Sequence, residues 1–218
     1  MAGAVPVYLE IGEKRVFASA IDWPGWTRSG KDEKAALEKL AAYAPRYAAV
    51  PRAARVDFAA GTKPAFKVIE RVKGNATTDF GAPGIHATSD IKPLSREEAD
   101  RICALLAASW KVFDGVAAKA PAQLRKGPRG GGRDRDKIVD HIVDAESAYV
   151  PKLGLRLKTP TRQDVASLRA WRKEITEAIT ASAGRPQTGE KRWPPRYVAR
   201  RMAWHLLDHA WEIEDRSV

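Results

Sequence analysis

The chain has 218 residues, 44% of them hydrophobic, and a formal net charge of +11 at pH 7. That length suits two domains, the apolar share is ordinary for a globular protein, and no uncharged apolar run reaches the ~18 residues that a transmembrane helix needs. The start, Met1-Ala-Gly-Ala-Val-Pro-Val7, lacks a basic segment followed by a long apolar stretch, so no secretory signal is expected.

The single cysteine, Cys103, forms no internal disulfide, in keeping with a reducing cytosol and an expected cytoplasmic location. It lies beside Ile102 and reads as a small buried hydrophobe. The positive charge invites a nucleic-acid reading. It is nevertheless spread out: residues 1–92 carry 14 Lys+Arg against 10 Asp+Glu, and residues 93–218 carry 24 against 17. The one dense basic stretch, Arg125 to Lys137, is rich in glycine and diluted by Asp134 and Asp136. It reads first as a solvated loop and second as a phosphate-contacting one through Arg129, Arg133 and Arg135.

In chain order, Val7–Ile11 alternates apolar and polar and predicts a strand, and Arg15–Ile21 predicts a second. Trp23-Pro-Gly-Trp-Thr-Arg28 predicts a bend into a third. Ser29-Gly-Lys-Asp32 has the spacing of a capping box, with Asp in place of Glu. The helix after it carries Ala36, Leu37, Leu40, Ala41 and Ala44 on one face, and Pro45 should end or kink it. Two more strands are expected at Arg55–Ala60 and Ala65–Val72. Residues 73–93, with Gly74, Gly81, Pro83, Gly84 and Pro93, read as an ordered loop or a domain linker.

From Leu94 the period becomes helical. Helix one starts at the capping box Ser95-Arg-Glu-Glu98, with Ala99, Ile102, Leu106, Phe113 and Val116 on its face. Helix two runs from about Arg133 to Pro151, with the stripe Ile138, Ile142, Ala145, Ala148 and Tyr149. Helix three starts at Thr161-Arg-Gln-Asp164, buries Val165, Leu168, Ile175 and Ile179, and stops at Gly184. Helix four starts near Pro194-Pro195 and runs almost to Val218. The expected fold class is α+β: a small β-β-β-α-β domain over 1–92, then a four-helix up-down bundle over 93–218.

Three of the four histidines fall on these helices. His141 lies inside the helix-two stripe, three residues after Ile138. On helix four the stripe is Val198, Met202, His205, His209 and Ile213, so His205 and His209 are core positions one turn apart. A lone core histidine usually finds a private hydrogen-bond partner. A pair at i, i+4 aims two ring nitrogens at one point, and a third imidazole completes a set that holds Zn²⁺ or a similar ion with a coordination position open. Asp144 and Asp208 are candidate acceptors behind the ligand imidazoles. Glu212 is a candidate proton acceptor and Arg201 a candidate holder of an anionic substrate, both in catalytic roles. For each of these charges a flanking salt bridge is the plain alternative. His86, in the Gly/Pro-rich connector, reads as incidental. Trp171, Trp193, Trp204 and Trp211 read as core packing, with a pocket wall as the alternative.

Asp140-His-Ile-Val-Asp-Ala-Glu146 and Arg200-Arg-Met-Ala-Trp-His-Leu-Leu-Asp-His-Ala-Trp-Glu212 resemble the DinB-like (YfiT-like) superfamily of bacterial four-helix proteins. That family places one histidine on an early helix and an H-x-x-x-H pair on a later one, which matches His141, His205 and His209. The resemblance implies a divalent metal, usually zinc or nickel. In active members it implies chemistry with a low-molecular-weight thiol, as in mycothiol- or bacillithiol-dependent S-transferases and isomerases. The Ala- and Arg-rich composition points to a high-GC, actinobacterial genome, which makes mycothiol the candidate thiol. The N-terminal half, with Ile21-Asp-Trp-Pro-Gly-Trp-Thr-Arg-Ser-Gly-Lys-Asp-Glu-Lys-Ala-Ala-Leu37, resembles a HicB-type antitoxin domain.

The first functional expectation is therefore a metal-dependent thiol transferase or hydrolase acting on a small electrophilic molecule. The alternative is a non-enzymatic, antitoxin-like interaction protein with relic histidines, and a nucleic-acid binder ranks last. The expected partner is a small-molecule substrate; a homodimer stays open, and no membrane association is expected.

Overall fold

The computed structural model describes residues 3–58, 60–61, 63–127, 131–185 and 192–217. Its N-terminal part is a four-stranded sheet of β1 (Val5–Ile11), β2 (Val16–Ala20), β3 (Thr27–Gly30) and β4 (Phe66–Lys73) in the order β3-β2-β1-β4. The first three strands pair antiparallel, and β4 lies parallel to β1 with a register shift between Val7 and Tyr8. A parallel neighbour requires a long crossover. Here α1 (Glu33–Ala42), α2 (Ala44–Tyr47) and α3 (Ala49–Ala54) supply it. A short helix α4 (Ala76–Phe80) and a 3-10 turn (Thr88–Ile91) lie in the stretch read from sequence as a loop. Then come α5 (Arg96–Lys119), α6 (Arg135–Tyr149), α7 (Val165–Ala181) and α8 (Pro195–Arg216). Among the described residues no helix is long and apolar enough to cross a membrane.

Several expectations need correction. Ser29 does not cap α1, because it is engaged in β3 opposite Phe17; Asp32 is itself the cap, its Oδ1 accepting from the Ala35 amide at 2.8 Å. Thr161 likewise gives way to Asp164, which accepts from the Ser167 amide at 3.0 Å. At α5 the reciprocal pair does form: Ser95 accepts from the Glu98 amide at 3.0 Å and its own amide donates to Glu98 at 2.7 Å. The strand expected at Arg55–Ala60 is absent from its described residues. Arg55 ends α3 in the left-handed region with φ 57°, the Val56 amide turns back to the Pro51 carbonyl, and Phe58 packs into an aromatic group. On the helices, Ala148 and Val165 are exposed rather than core.

Both faces of the sheet are covered, which is why every residue of β2 is buried. On one face Val7, Leu9, Ala18 and Ala20 share a cluster with Ala36, Leu40 and Tyr47. Trp26 sits in it, stacked on Tyr47 at 5.4 Å, with its indole N–H donating to the Leu40 carbonyl at 2.9 Å. On the other face Tyr8 lies under the Arg200 guanidinium at 5.2 Å, and Phe17 meets Trp204 edge-on at 6.0 Å. Leu207 and Trp211 of α8 and Leu105 and Ala108 of α5 also join the sheet cluster, so the two halves of the chain share apolar contacts. Gly25, at φ 91°, lets the β2–β3 bend approach α8 closely, since a Cβ there would sit 2.5 Å from Leu207 Cδ1. A second cluster joins α5, α6, α7 and α8 through Leu106, Phe113, Ile138, Ile142, Ile175, Ile179, Met202 and Leu206. Helix α8 belongs to both clusters and is buried along almost its whole length.

Candidate metal centre

Helix α8 carries its functional groups at intervals of four residues: Arg201, His205 and His209. Such spacing puts them on one face, each about 6 Å along the axis from the last. The start of α8 is anchored by a buried ion pair between Arg200 and Asp90 and by the Tyr197 hydroxyl donating to the Pro83 carbonyl at 3.2 Å. Helix α6 presents His141 across from this face. The ring centroids lie 4.9 Å apart for His141–His205, 5.1 Å for His141–His209 and 4.8 Å for His205–His209. One nitrogen from each ring falls within 4.8 Å of the others.

The three rings differ in surroundings. His205 is buried at 8% exposure, and its Nδ1 has no hydrogen-bond partner. Burial, aided by the neighbouring His209 and the Arg201 charge, pushes its pKa down to about 2. His141 is also shifted down, first by burial and then by His209. Both imidazoles are therefore neutral with a lone pair available. His209 Nδ1 lies 2.6 Å from Glu212 Oε2. That contact fixes the ring and leaves Nε2 as its free nitrogen. Glu212 also accepts from Arg216, and its hydrogen bond to His209 is the main reason its pKa is lowered. Three imidazoles, one braced by a carboxylate, are a donor set suited to a borderline divalent ion.

Other expected groups divide. Arg201 lies one turn before His205 and is wedged against aromatic rings, its guanidinium carbon 4.6 Å from the centre of Trp204 and 5.3 Å from that of Tyr149. Trp204 also stacks on His205 at 5.8 Å with an angle of 22°, and Tyr149 packs against Trp193 at 5.5 Å. Of the four tryptophans, Trp204 thus walls the histidines, and Trp193 stands behind Tyr149. Asp208 faces elsewhere, accepting from Arg28 of β3 at 2.7 Å, and Asp144 is exposed on α6, with its charge acting on His141. His86 is apart from the cluster, at the edge of the Tyr197 ring. The Cys103 thiol donates to the Thr176 carbonyl at 3.4 Å, and burial pushes its pKa up.

One residue went unnoticed in the sequence. Glu146 of α6 is fully buried, accepts from the Trp110 indole N–H at 2.6 Å, and has its other oxygen unpartnered. Desolvation raises its pKa to about 7. The steps of four from Ile138 through Ile142 to Glu146 place it on the core stripe, so the spacing itself held the signal.

Over its described residues the basic connector is tied back to the protein in part, while Arg133 is exposed. Lys126 pairs with Asp134, Arg135 pairs with Asp136 at 2.8 Å, and the Arg125 amide donates to the Arg216 carbonyl at 2.9 Å. Arg129 lies outside the described residues. No protein-family model matches the chain, and neither a curated protein nor a solved structure matches it.

Proposed function

We propose that this chain is a divalent-metal protein of the DinB-like kind, with α5 to α8 as its up-down bundle, acting as a thiol S-transferase or hydrolase on a small electrophilic molecule. The observation that carries the reading is the convergence of His141, His205 and His209 from two helices, with one nitrogen of each within 4.8 Å of the others. Zinc or nickel suits these ligands, and mycothiol is the candidate thiol. Held by three imidazoles, such an ion supplies an open Lewis-acid position that makes a thiol or water acidic enough to act as a nucleophile near neutral pH.

The protein's own groups have separable tasks. Burial keeps His205 neutral, Glu212 orients His209 through Nδ1, and the Glu212 carboxylate remains ionised as an acceptor beside the centre. Trp204 and Tyr149 pack against both Arg201 and His205 and hold the two side by side. In this reading the HicB-like N-terminal sheet is a support that seats α8.

Metal analysis by mass spectrometry on untagged protein tests it. About one zinc or nickel per chain is expected in the parent, and none in the His205→Ala/His209→Ala variant. A metal-free parent, even after incubation with both ions, would sink the reading and leave an interaction module.

A further inference from the structure

Arg201 presents a charge without a counterion. It is 8% exposed, its Nη1 is buried without a partner, and it makes no hydrogen bond or ion pair among the described residues. Other largely buried arginines are matched: Arg200 by Asp90, Arg28 by Asp208 and Arg172 by Asp114. The acidic group whose charge reaches Arg201 is Glu10 of β1. Glu10 is already committed, accepting from the Thr78 hydroxyl and from the amides of Gly84 and Ile85 at 2.8 and 3.1 Å.

The aromatic rings of Trp204 and Tyr149 compensate the cation only through its faces. The N–H groups along the edge of a guanidinium are shaped for a planar oxyanion. A buried cation left without a carboxylate is unfavourable, and this one sits a single helical turn from His205 on the histidine-bearing face.

We infer that Arg201 is the anion-binding residue of the histidine site, and that the site takes small organic acids whose carboxylate docks on the Arg201 guanidinium. Arg201 and His205 start from helix positions about 6 Å apart along the axis, so a ligand held by one can reach the other. The inference rests on the metal reading for what happens at the histidines, but not for the carboxylate contact itself.

The experiment uses the full chain incubated with zinc. Propionate, its neutral isostere propionamide, and inorganic phosphate are each titrated by calorimetry and by tryptophan fluorescence, to which Trp204 contributes. The parent should bind propionate at least tenfold more tightly than propionamide, the difference expected of a charge-assisted hydrogen bond. Arg201→Gln should abolish that discrimination at unchanged zinc content, and Arg201→Lys should retain part of it. Thermal melts of both variants confirm that they fold.

Equal binding of propionate and propionamide by the parent, or discrimination that survives Arg201→Gln, overturns the inference. Binding of phosphate with no binding of propionate overturns the carboxylate class. Zinc content measured on the same samples keeps the two readings apart. A parent without zinc refutes the metal centre, while the propionate comparison still decides for or against Arg201.

Discussion

Replacing Glu146 with glutamine should remove a pH-dependent weakness from the core. The wild-type carboxyl is fully buried, and desolvation raises its pKa from 4.5 to about 7. A carboxyl whose folded pKa is raised binds more protons in the native state than in the unfolded one between those two values. Stability then falls as pH rises through that window. The gap between 4.5 and about 7, at roughly 1.4 kcal/mol per pKa unit, corresponds to about 3 kcal/mol of lost stability once pH exceeds 7. Glutamine has the shape of the protonated acid, keeps the acceptor for the Trp110 indole, and never ionises.

The gain of Glu146→Gln over the parent should therefore grow by about 3 kcal/mol between pH 4 and pH 8, or roughly 6–12 °C in Tm for a chain of this size. Urea unfolding at a series of pH values, followed by tryptophan fluorescence, measures it. Parallel stability curves for parent and variant would show that Glu146 is ionised in the folded protein, and that desolvation does not govern it.

Glu212→Gln should weaken zinc binding 10- to 100-fold in a chelator competition, because an amide braces His209 less well than the carboxylate 2.6 Å away. Zinc at about one hundred times its Kd should stabilise the parent by about 2.7 kcal/mol and leave His205→Ala unmoved in the same melt. Gly25→Ala should cost at least about 2 kcal/mol in urea unfolding. It forces a side chain into φ 91° and onto Leu207 Cδ1 at 2.5 Å.

Much of this arrangement was readable from spacing. The i, i+4 pair at His205 and His209, with His141 on a second apolar stripe, predicted the three-imidazole cluster because helical periodicity fixes direction. The Ser95–Glu98 capping box was readable for the same reason: its geometry is local. What failed depended on tertiary context. Asp208 is three residues from His205, yet it turns to Arg28, a partner 180 residues away that spacing cannot see. The capping boxes at Ser29 and Thr161 failed because the residue expected to reach back was itself the better cap. Arg55–Ala60 looks like a strand by composition, but the aromatic group around Trp26 claims Phe58. Glu146 was overlooked because an acid at a core spacing contradicts the usual use of that spacing.

The sharing of α8 between both apolar clusters also bears on how the chain is made. Translation delivers the sheet, its crossover helices and α5 to α7 before α8 emerges. Until then the second face of the sheet and the inner sides of those helices have nothing to close over them. At on the order of ten residues per second, the nascent polypeptide exposes these surfaces for seconds, with His141 waiting for partners that arrive last. Chaperone demand should therefore be concentrated on nascent chains that lack α8, and ribosome-bound chains that stop before Pro195 should be the ones that holdases retain.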